Sequence, residues 1–286
     1  MTPAATIALA GVFFTVLLLA EHRLPLRRRT VGVGRHLVVN LTLSALAFAV
    51  AGVTVRPGVG ALLRQNATEG WGLLGLLPLP DAARFALGFV LMDLAFYWWH
   101  RLNHRSAWLW RFHNVHHIDP DLDVSTSFRF HWGEVALSTL FRVVQVGLLG
   151  VSAPIYAAYE TAFQLNTLFH HSNVRLPLAL ERSLNRLLVT PRMHGIHHSQ
   201  VRRETDSNFS VLFSFWDRLH GTVRLNVPQS SIAIGVPAYT LPGDDRLWPA
   251  LTLPFRRQRD YWRRPDGSPV ERDPEVLGPD PRRLEG

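Results

Sequence analysis

Four groups of closely spaced histidines are the residues of this chain that could do chemistry. They comprise His100 and His104; His113, His116 and His117; His170 and His171; and His194, His197 and His198. Residues three or four positions apart share one face of a helix, so each group presents its imidazoles in one direction. Two metal ions with four or more ligands each need at least eight donors, and each neutral imidazole supplies one. The spacing therefore predicts a site for two metal ions.

The rest of the composition excludes several kinds of site. The chain has 286 residues, 14 histidines and no cysteine. The lack of cysteine excludes a disulfide scaffold, a cysteine-ligated zinc site, an iron–sulfur cluster and a thiol nucleophile. Imidazole binds iron, zinc, copper and nickel, so the pattern predicts a metal site without identifying the metal. Isolated histidines such as His22, His36 and His220 are typical of surface or interface positions.

Long apolar segments surround the histidines and must position them. Residues 4–20 and 37–55 carry no charge, and residues 82–99 form a third apolar run with one acid, Asp93. Each is close to the roughly 20 residues that cross a bilayer as a helix. The third run ends directly before His100.

The distribution of charge predicts which side of the membrane the site faces. The net charge is +8, and every basic residue other than histidine is an arginine. Five arginines lie between the first two apolar runs, at positions 23, 27, 28, 29 and 35. The positive-inside bias places this linker, and after two further crossings His100, on the cytoplasmic side. Nucleic-acid binding is not expected, because the arginines accompany no base-reading element.

Residues 135–151 and 154–169 are two more apolar arms joined by a short turn. They predict a helical hairpin that returns His170 and His171 to the same face, with Arg142 facing protein or water. A pair of interfacial or core helices that does not cross the membrane would place His170 and His171 on the same side. Residues 56–81, rich in Gly and Pro, predict an outside loop lying partly on the membrane, and most of the chain after Arg263 is expected to be loosely ordered.

These elements predict an all-α integral membrane bundle. It would have about four to five transmembrane helices, including the hairpin, and a cytoplasmic His-rich helical cap. The expected divisions are an N-terminal membrane region (1–84), a catalytic domain (85–225) and a C-terminal cytoplasmic tail (226–286).

The segments around the histidines carry a specific resemblance. Residues 93–104 read DLAFYWWHRLNH, residues 110–117 read WRFHNVHH, and residues 190–198 read TPRMHGIHH. With FHWGE at 130–134, HSNVRLP at 171–177 and FWDRLHGT at 215–222, they resemble the fatty acid hydroxylase or sterol desaturase superfamily over residues 85–225. Members are integral membrane, non-haem di-metal enzymes that use dioxygen and external electrons to hydroxylate or desaturate lipids.

The resemblance implies a ligand set and two iron ions, with zinc an alternative in a purified sample. The implied ligands are His100, His104, His113, His116, His117, His194, His197 and His198. Within the hairpin, His171 matches the family's histidine better than His170 does. A further ligand is left open among His170, Asn166 and His131, the last in a box where Trp132-Gly133 replaces the usual Pro-x pair. The family's usual Phe before Gly-Thr is His220 here, a change expected to be structural.

Acidic and amide residues near the ligands are candidates for orienting them. Asp93 shares a helical face with His100 and His104, so its carboxylate could hold a ligand imidazole or make a helix-packing hydrogen bond. Asp206, Asn208 and Asp217 follow the last histidine group and are expected to hold it.

The expected function is a dioxygen-dependent lipid oxygenase with a dry apolar pocket beside the third helix. The substrate stays open among fatty acyl, sterol, isoprenoid and ether lipids, and the reaction among hydroxylation, desaturation and ether cleavage. Because no dinucleotide or haem motif is present, a separate donor such as a ferredoxin, cytochrome or reductase must supply electrons. The alternatives are a zinc hydrolase with Glu134 as base, a metal transporter, or a bis-histidine haem protein.

Overall fold

The protein, in a computed structural model that describes residues 3–285, consists of helices, short 3₁₀ turns and loops. No β-strand occurs among the described residues, which confirms the all-α class. The helices are α1 (Pro3–Arg23), α2 (Val33–Val53), α3 (Val55–Glu69), α4 (Leu73–Leu76), α5 (Asp81–Arg105), α6 (Ala107–His117), α7 (Trp132–Leu149), α8 (Ala153–His171), α9 (Leu178–Leu184), α10 (Pro191–His197), α11 (Arg202–Thr205), α12 (Phe215–Leu219) and α13 (Leu247–Thr252).

Four helical stretches are long and apolar enough to cross a membrane. They are Ala5–Arg23, Val33–Leu76, Asp81–Arg105 and Trp132–Leu149. Their outer surfaces expose large apolar side chains such as Val12, Val38 and Leu140, whereas Asn40 and Ser44 of α2 are buried. Polar groups inside and apolar groups outside are the arrangement of a bundle whose surroundings are lipid. The chain is therefore an integral membrane protein.

The prediction of a loop over residues 56–81 is wrong. Most of this segment is α3, followed by the single turn α4. Pro57 is the third residue of α3, where its missing N–H costs no helical hydrogen bond. Packing of Val59 against Val146 and Ile155 offsets the low helix propensity of the glycines.

The predicted hairpin is present as α7 and α8. Gly150 ends α7 in a left-handed conformation, with a φ of 68°, and α8 starts three residues later. Arg142 points into the protein, as expected, and its Nη2 lies 3.0 Å from Glu160 Oε1. The hairpin thus brings the C-terminal end of α8 back to the level where α7 begins.

A buried polar network ties α2 to the segment that follows α6. His36 Nε2 lies 2.5 Å from Asp119 Oδ1, and His36 Nδ1 lies 3.1 Å from Asp123 Oδ2. Arg129 Nη1 donates to Asn40 Oδ1 at 2.7 Å. Because Asp119 follows His117 by two residues, this network fixes the end of α6.

The C-terminal tail is not loose, contrary to expectation. Arg272 forms two 2.9 Å hydrogen bonds with the carboxylate of Glu204, and Leu225 N donates to Pro281 O. Leu284 is buried against Val189 and Met193. The tail packs on the cap, a tertiary contact that its polar composition does not reveal. The divisions at residues 84 and 225 stay predictions.

Candidate metal centre

Four helix ends deliver the histidine groups to one place. His100 and His104 lie in the last turns of α5, and His113, His116 and His117 lie on α6. The end of α8 carries His170 and His171, while α10 carries His194 and His197 and ends at His198. Because α5 and α6 are adjacent in sequence and the hairpin returns α8, all four ends meet at one level of the bundle.

The imidazoles sort into two groups, each able to hold one ion. The five-histidine group consists of His100, His104, His113, His117 and His197, and the four-histidine group consists of His116, His171, His194 and His198. Within each group the ligand atoms all lie within 4.8 Å of one another. Neighbours in sequence, such as His116 and His117, therefore belong to different groups.

The spacing of the ring nitrogens matches shared coordination. His100 Nε2 lies 3.1 Å from His197 Nε2 in the five-histidine group. In the four-histidine group, His171 Nε2 lies 3.1 Å from His116 Nε2 and 3.0 Å from His194 Nε2. Nitrogens bound at about 2.1 Å to one ion, at right angles, lie about 3 Å apart.

Burial keeps these imidazoles in the neutral form that a metal requires. Burial, reinforced by neighbouring histidines, holds the pKa of His116 and of His198 well below the usual range. Burial also lowers the pKa of His197 to about 3. Desolvation disfavours the imidazolium, so no proton has to leave before a metal binds at neutral pH.

Hydrogen bonds to backbone carbonyls orient three of the rings through their Nδ1 atoms. His100 donates to Phe209 O and His197 to Ser207 O, both at 2.7 Å. His171 donates to Thr167 O at 2.8 Å. Such bonds fix the tautomer and turn Nε2 toward the group.

Glu134 supplies a fourth anchor. His113 Nδ1 lies 2.8 Å from Glu134 Oε1, and both residues are buried. The sequence suggested Glu134 only as the base of a hydrolase, and its contact with His113 was missed. The signal available was its place in a His-x-x-Glu box three residues after His131.

Several ring nitrogens of the centre are buried without a hydrogen-bond partner among the described residues. They include Nε2 of His104 and His113 and both ring nitrogens of His117. Unpaired buried polar atoms cost free energy, and coordination to an ion would satisfy the Nε2 atoms. Nine nitrogen donors without a thiolate fit imidazole-binding metals such as iron or zinc.

Two histidines considered as ligands lie outside both groups. His131 caps the start of α7, where its Nδ1 accepts from Gly133 N at 2.9 Å and its Nε2 lies 3.1 Å from Leu251 O. Both ring nitrogens are therefore engaged. His170 stacks near His194, with ring centroids 4.2 Å apart, and its Nδ1 lies 3.3 Å from Asn166 Nδ2.

Asn166 and Asp93 hold the backbone around the centre and contact no imidazole of the two groups, whereas Asp206 does not hold the last histidine group, contrary to expectation. Asn166 Nδ2 donates to Val211 O at 2.6 Å. Asp93 accepts from Phe213 N at 3.0 Å and Trp216 Nε1 at 2.8 Å, which is the helix-packing alternative. Asp206 is partly exposed and lies 3.7 Å from Arg202.

Asp217 holds the segment after the last histidine group, and Asn208 bonds the helix that carries that group. Asp217 accepts from Phe209 N at 2.8 Å and Ser210 N at 2.9 Å, and so fixes the carbonyl that His100 uses. Asn208, at a φ of 54°, donates to Met193 O at 3.0 Å. His220 stacks on Tyr97 with ring centroids 4.7 Å apart and takes no part in either group.

Two cavities lead from the membrane helices to the imidazoles. One of about 50 Å³ is lined by histidines of both groups, and one of about 200 Å³ lies between α2, α7 and α8. Both cavities are lined by Phe96, Phe130, Glu134, Phe163 and Thr167. The arrangement can place a long apolar molecule with one atom against the metal centre.

Comparison with known proteins agrees with the geometry. Residues 85–222 match the fatty acid hydroxylase family. Ornithine lipid hydroxylase OlsE of Rhizobium tropici is 32% identical over 183 residues, which cover 63% of this chain and 52% of that protein. Human cholesterol 25-hydroxylase is 30% identical over 168 residues, or 57% of each chain. Human alkylglycerol monooxygenase is 29% identical over 149 residues, or 51% of this chain and 32% of that protein.

The chain spans from a third to just over half of the length of these curated relatives. No solved structure matches it. The segment that matches the family contains all nine histidines of the two groups. This segment, just under half of the chain, is similar to the fatty acid hydroxylase family.

Proposed function

We propose that the protein is a dioxygen-dependent lipid hydroxylase. The observation that carries the proposal is the meeting of two buried imidazole groups with the inner end of an apolar cavity between membrane helices. The relatives above are named as hydroxylases or monooxygenases of an ornithine lipid, an alkylglycerol and cholesterol. Their names favour hydroxylation over desaturation and a lipid as the substrate class.

The two groups would hold two iron ions, one in each. When bound, such a pair supplies the redox chemistry that activates dioxygen. A hydrolase is less well supported, because the relatives above are named as hydroxylases or monooxygenases. A transporter is less well supported as well, since the imidazoles lie at helix ends.

The residues of the cavities would bind the hydrocarbon and keep water out. Phe96, Phe130 and Phe163 line the passage to the imidazoles. Thr167 Oγ1 and Asn103 Oδ1 are buried polar atoms without a partner among residues 3–285, and they are placed to orient a polar atom of the substrate. Glu134 Oε2 is likewise buried and unpaired, and it is available to hold a proton beside the passage.

Electrons would enter at the surface side of the five-histidine group. His104 is its one partly exposed member, and it lines a surface cavity of about 170 Å³ with Arg105 and Arg202. Trp110 lies between His104 and Trp262, with ring centroids 4.8 Å and 6.0 Å away. Asp206 also lines this cavity and lies 3.7 Å from Arg202, so the surface has one arginine in excess, Arg105, for an acidic donor protein.

Purified enzyme, loaded with iron anaerobically, would test the activity. The substrate class comes first from mass spectrometry of host lipids with and without the intact gene. We expect oxygen-dependent hydroxylation of that lipid by the wild type and by His22→Ala, a change at an exposed histidine of α1. The double variant His116→Ala/His197→Ala should be inactive, and activity surviving in it would refute the proposal.

The centre would face the cytoplasm, as the arginines of the linker between α1 and α2 indicate. The lack of cysteine makes a labelling test direct. Ser230 in the cap and Thr68 near the end of α3 are both exposed. In sealed cells, a membrane-impermeant maleimide should label Thr68→Cys and spare Ser230→Cys, and the reverse pattern would place the centre outside.

A further inference from the structure

One further cavity is separate from the metal centre and the apolar passage. It has a volume of about 650 Å³ and is formed by the α1–α2 linker, the segment after α6 and residues 229–240. Four arginines line it, at positions 27, 28, 29 and 175, against two aspartates. The proposed function makes no use of this cavity.

Both aspartates of the cavity are engaged. Asp123 lies 2.7 Å from Arg29 Nη1, and Asp121 accepts from the backbone N–H groups of Thr30 and Val31 at 2.8–3.0 Å. Arg28 and Arg175 are exposed and form no ion pair or side-chain hydrogen bond among the described residues. The cavity therefore has an excess of positive charge that the protein does not neutralise.

Arg27 lies deeper and has no acid to pair with. Its Nη1 donates to Gln229 Oε1 at 2.6 Å, whereas its Nε and Nη2 are buried without a partner. Among the described residues, no carboxylate oxygen lies within 4 Å of the guanidinium. Burial lowers the pKa of Arg27 to about 10, so it stays charged at neutral pH. Buried N–H groups without an acceptor are costly, and an anion bound above Arg27 would accept from its Nε and Nη2.

The position of Arg27 depends on a glycine of the second His-x-x-His-His motif. A Cβ at Gly195 would clash with the Arg27 guanidinium and lie 2.9 Å from Gln229 Oε1. The linker is held here by Leu26 N, which donates to Asn173 O at 2.7 Å, two residues after His171. The arginine is thus built into the cap against α10.

We infer that this cavity binds the phosphate group of a lipid headgroup or of a free phosphate ester. Arginine forms charge-assisted hydrogen bonds with phosphate, and several arginines around one pocket favour an anion with three or four oxygens over a carboxylate. The linker joins two helices that can cross the membrane, so the cavity lies where a phospholipid headgroup would be. Binding does not require the proposed oxygenase activity.

Two pairs of probes that differ only in phosphate test the inference. In detergent micelles, phosphatidic acid is compared with diacylglycerol, and glycerol 3-phosphate with glycerol, by calorimetry and native mass spectrometry. We expect at least one phosphorylated probe to bind about tenfold or more tightly than its uncharged counterpart. Binding of phosphatidic acid alone identifies a lipid headgroup, and displacement of it by glycerol 3-phosphate identifies a free ester as sufficient.

The variant Arg28→Gln/Arg175→Gln should weaken this binding about tenfold or more. Both side chains are exposed, so metal content and thermal stability should not change. Arg186→Gln/Arg203→Gln removes the same charge from exposed positions outside the cavity and should bind like the wild type. Equal affinity for both members of each probe pair, or unchanged affinity in the Arg28/Arg175 variant, would overturn the inference.

Discussion

The five-histidine and four-histidine groups differ in how their imidazoles are held. In the first, His100, His113 and His197 each use Nδ1 for a hydrogen bond to a carbonyl or carboxylate oxygen. In the second, only His171 has such an anchor, and the Nδ1 atoms of the other three are buried without a partner. The first group is oriented before a metal binds, whereas the second relies more on packing.

The groups also differ in their access to the surface. All four members of the four-histidine group are buried, whereas His104 of the other group is partly exposed beside a surface cavity. The ion of the five-histidine group would therefore be held by pre-oriented rings and be reachable from the surface. The ion of the four-histidine group would be enclosed. The difference is the one that the proposed entry of electrons beside His104 requires.

Substitution of two adjacent histidines is the most direct test of this difference between the groups. His197→Gln removes one donor from the five-histidine group, and His198→Gln removes one from the four-histidine group. We expect His198→Gln, which leaves three imidazoles in its group, to fall from about two metal ions per chain to about one. His197→Gln leaves four imidazoles in its group and should bind that ion more weakly. Hydroxylation should fall by more than the ~100-fold that losing an outer partner of a ligand can cost. Metal analysis and product assays would check this, and two retained ions in both variants would contradict the grouping.

Loss of the Glu134 anchor should have the next largest effect. Glu134→Ala frees His113 Nδ1, so the metal affinity of the five-histidine group should fall ~10–100-fold. Glu134→Gln keeps an acceptor oxygen and should lose less. Metal titration of both variants would measure this. Equal loss from the two groups would show that Glu134 stabilises the whole cap rather than one ring.

The difference in anchoring predicts an order of metal loading. Five donors, three of them held in place, should bind about tenfold more tightly than four donors with one held, because less freedom is lost on binding. Titration of His198→Gln, with the five-histidine group intact, should therefore saturate at lower free metal than titration of His197→Gln. The opposite order would mean that enclosure outweighs anchoring.

The sequence predicted which histidines lie together better than it predicted their supports, for a physical reason. Helix periodicity places His113 and His117 on one face whatever the rest of the chain does, so their spacing alone was informative. The anchors of His100 and His197 are backbone carbonyls of Phe209 and Ser207. Every residue has a carbonyl, and only the tertiary fold selects which one meets an imidazole.

The errors in the fold have the same origin. Residues 56–81 carry turn-forming glycines, yet α3 forms because Val59 packs on α7 and Asn66 Nδ2 bonds Val146 O at 3.2 Å. The tail after Arg263 has the composition of a loose segment, yet Leu284 is buried and Arg272 pairs with Glu204. Local composition cannot reveal a distant surface that compensates for it.

The smallest expected effect concerns the histidine outside both groups that caps a helix. His131 caps α7, so His131→Ala should lower the free energy of unfolding by ~0.5–2 kcal/mol, the usual cost of losing an N-cap. His131→Asn keeps a capping side chain and should recover most of this. Thermal unfolding and metal analysis of the two variants separate the two roles of His131. If His131 only caps α7, His131→Ala is less stable and keeps both ions. If His131→Ala retained its stability but lost an ion, His131 would be a ligand, and the division into five and four histidines would have to be redrawn.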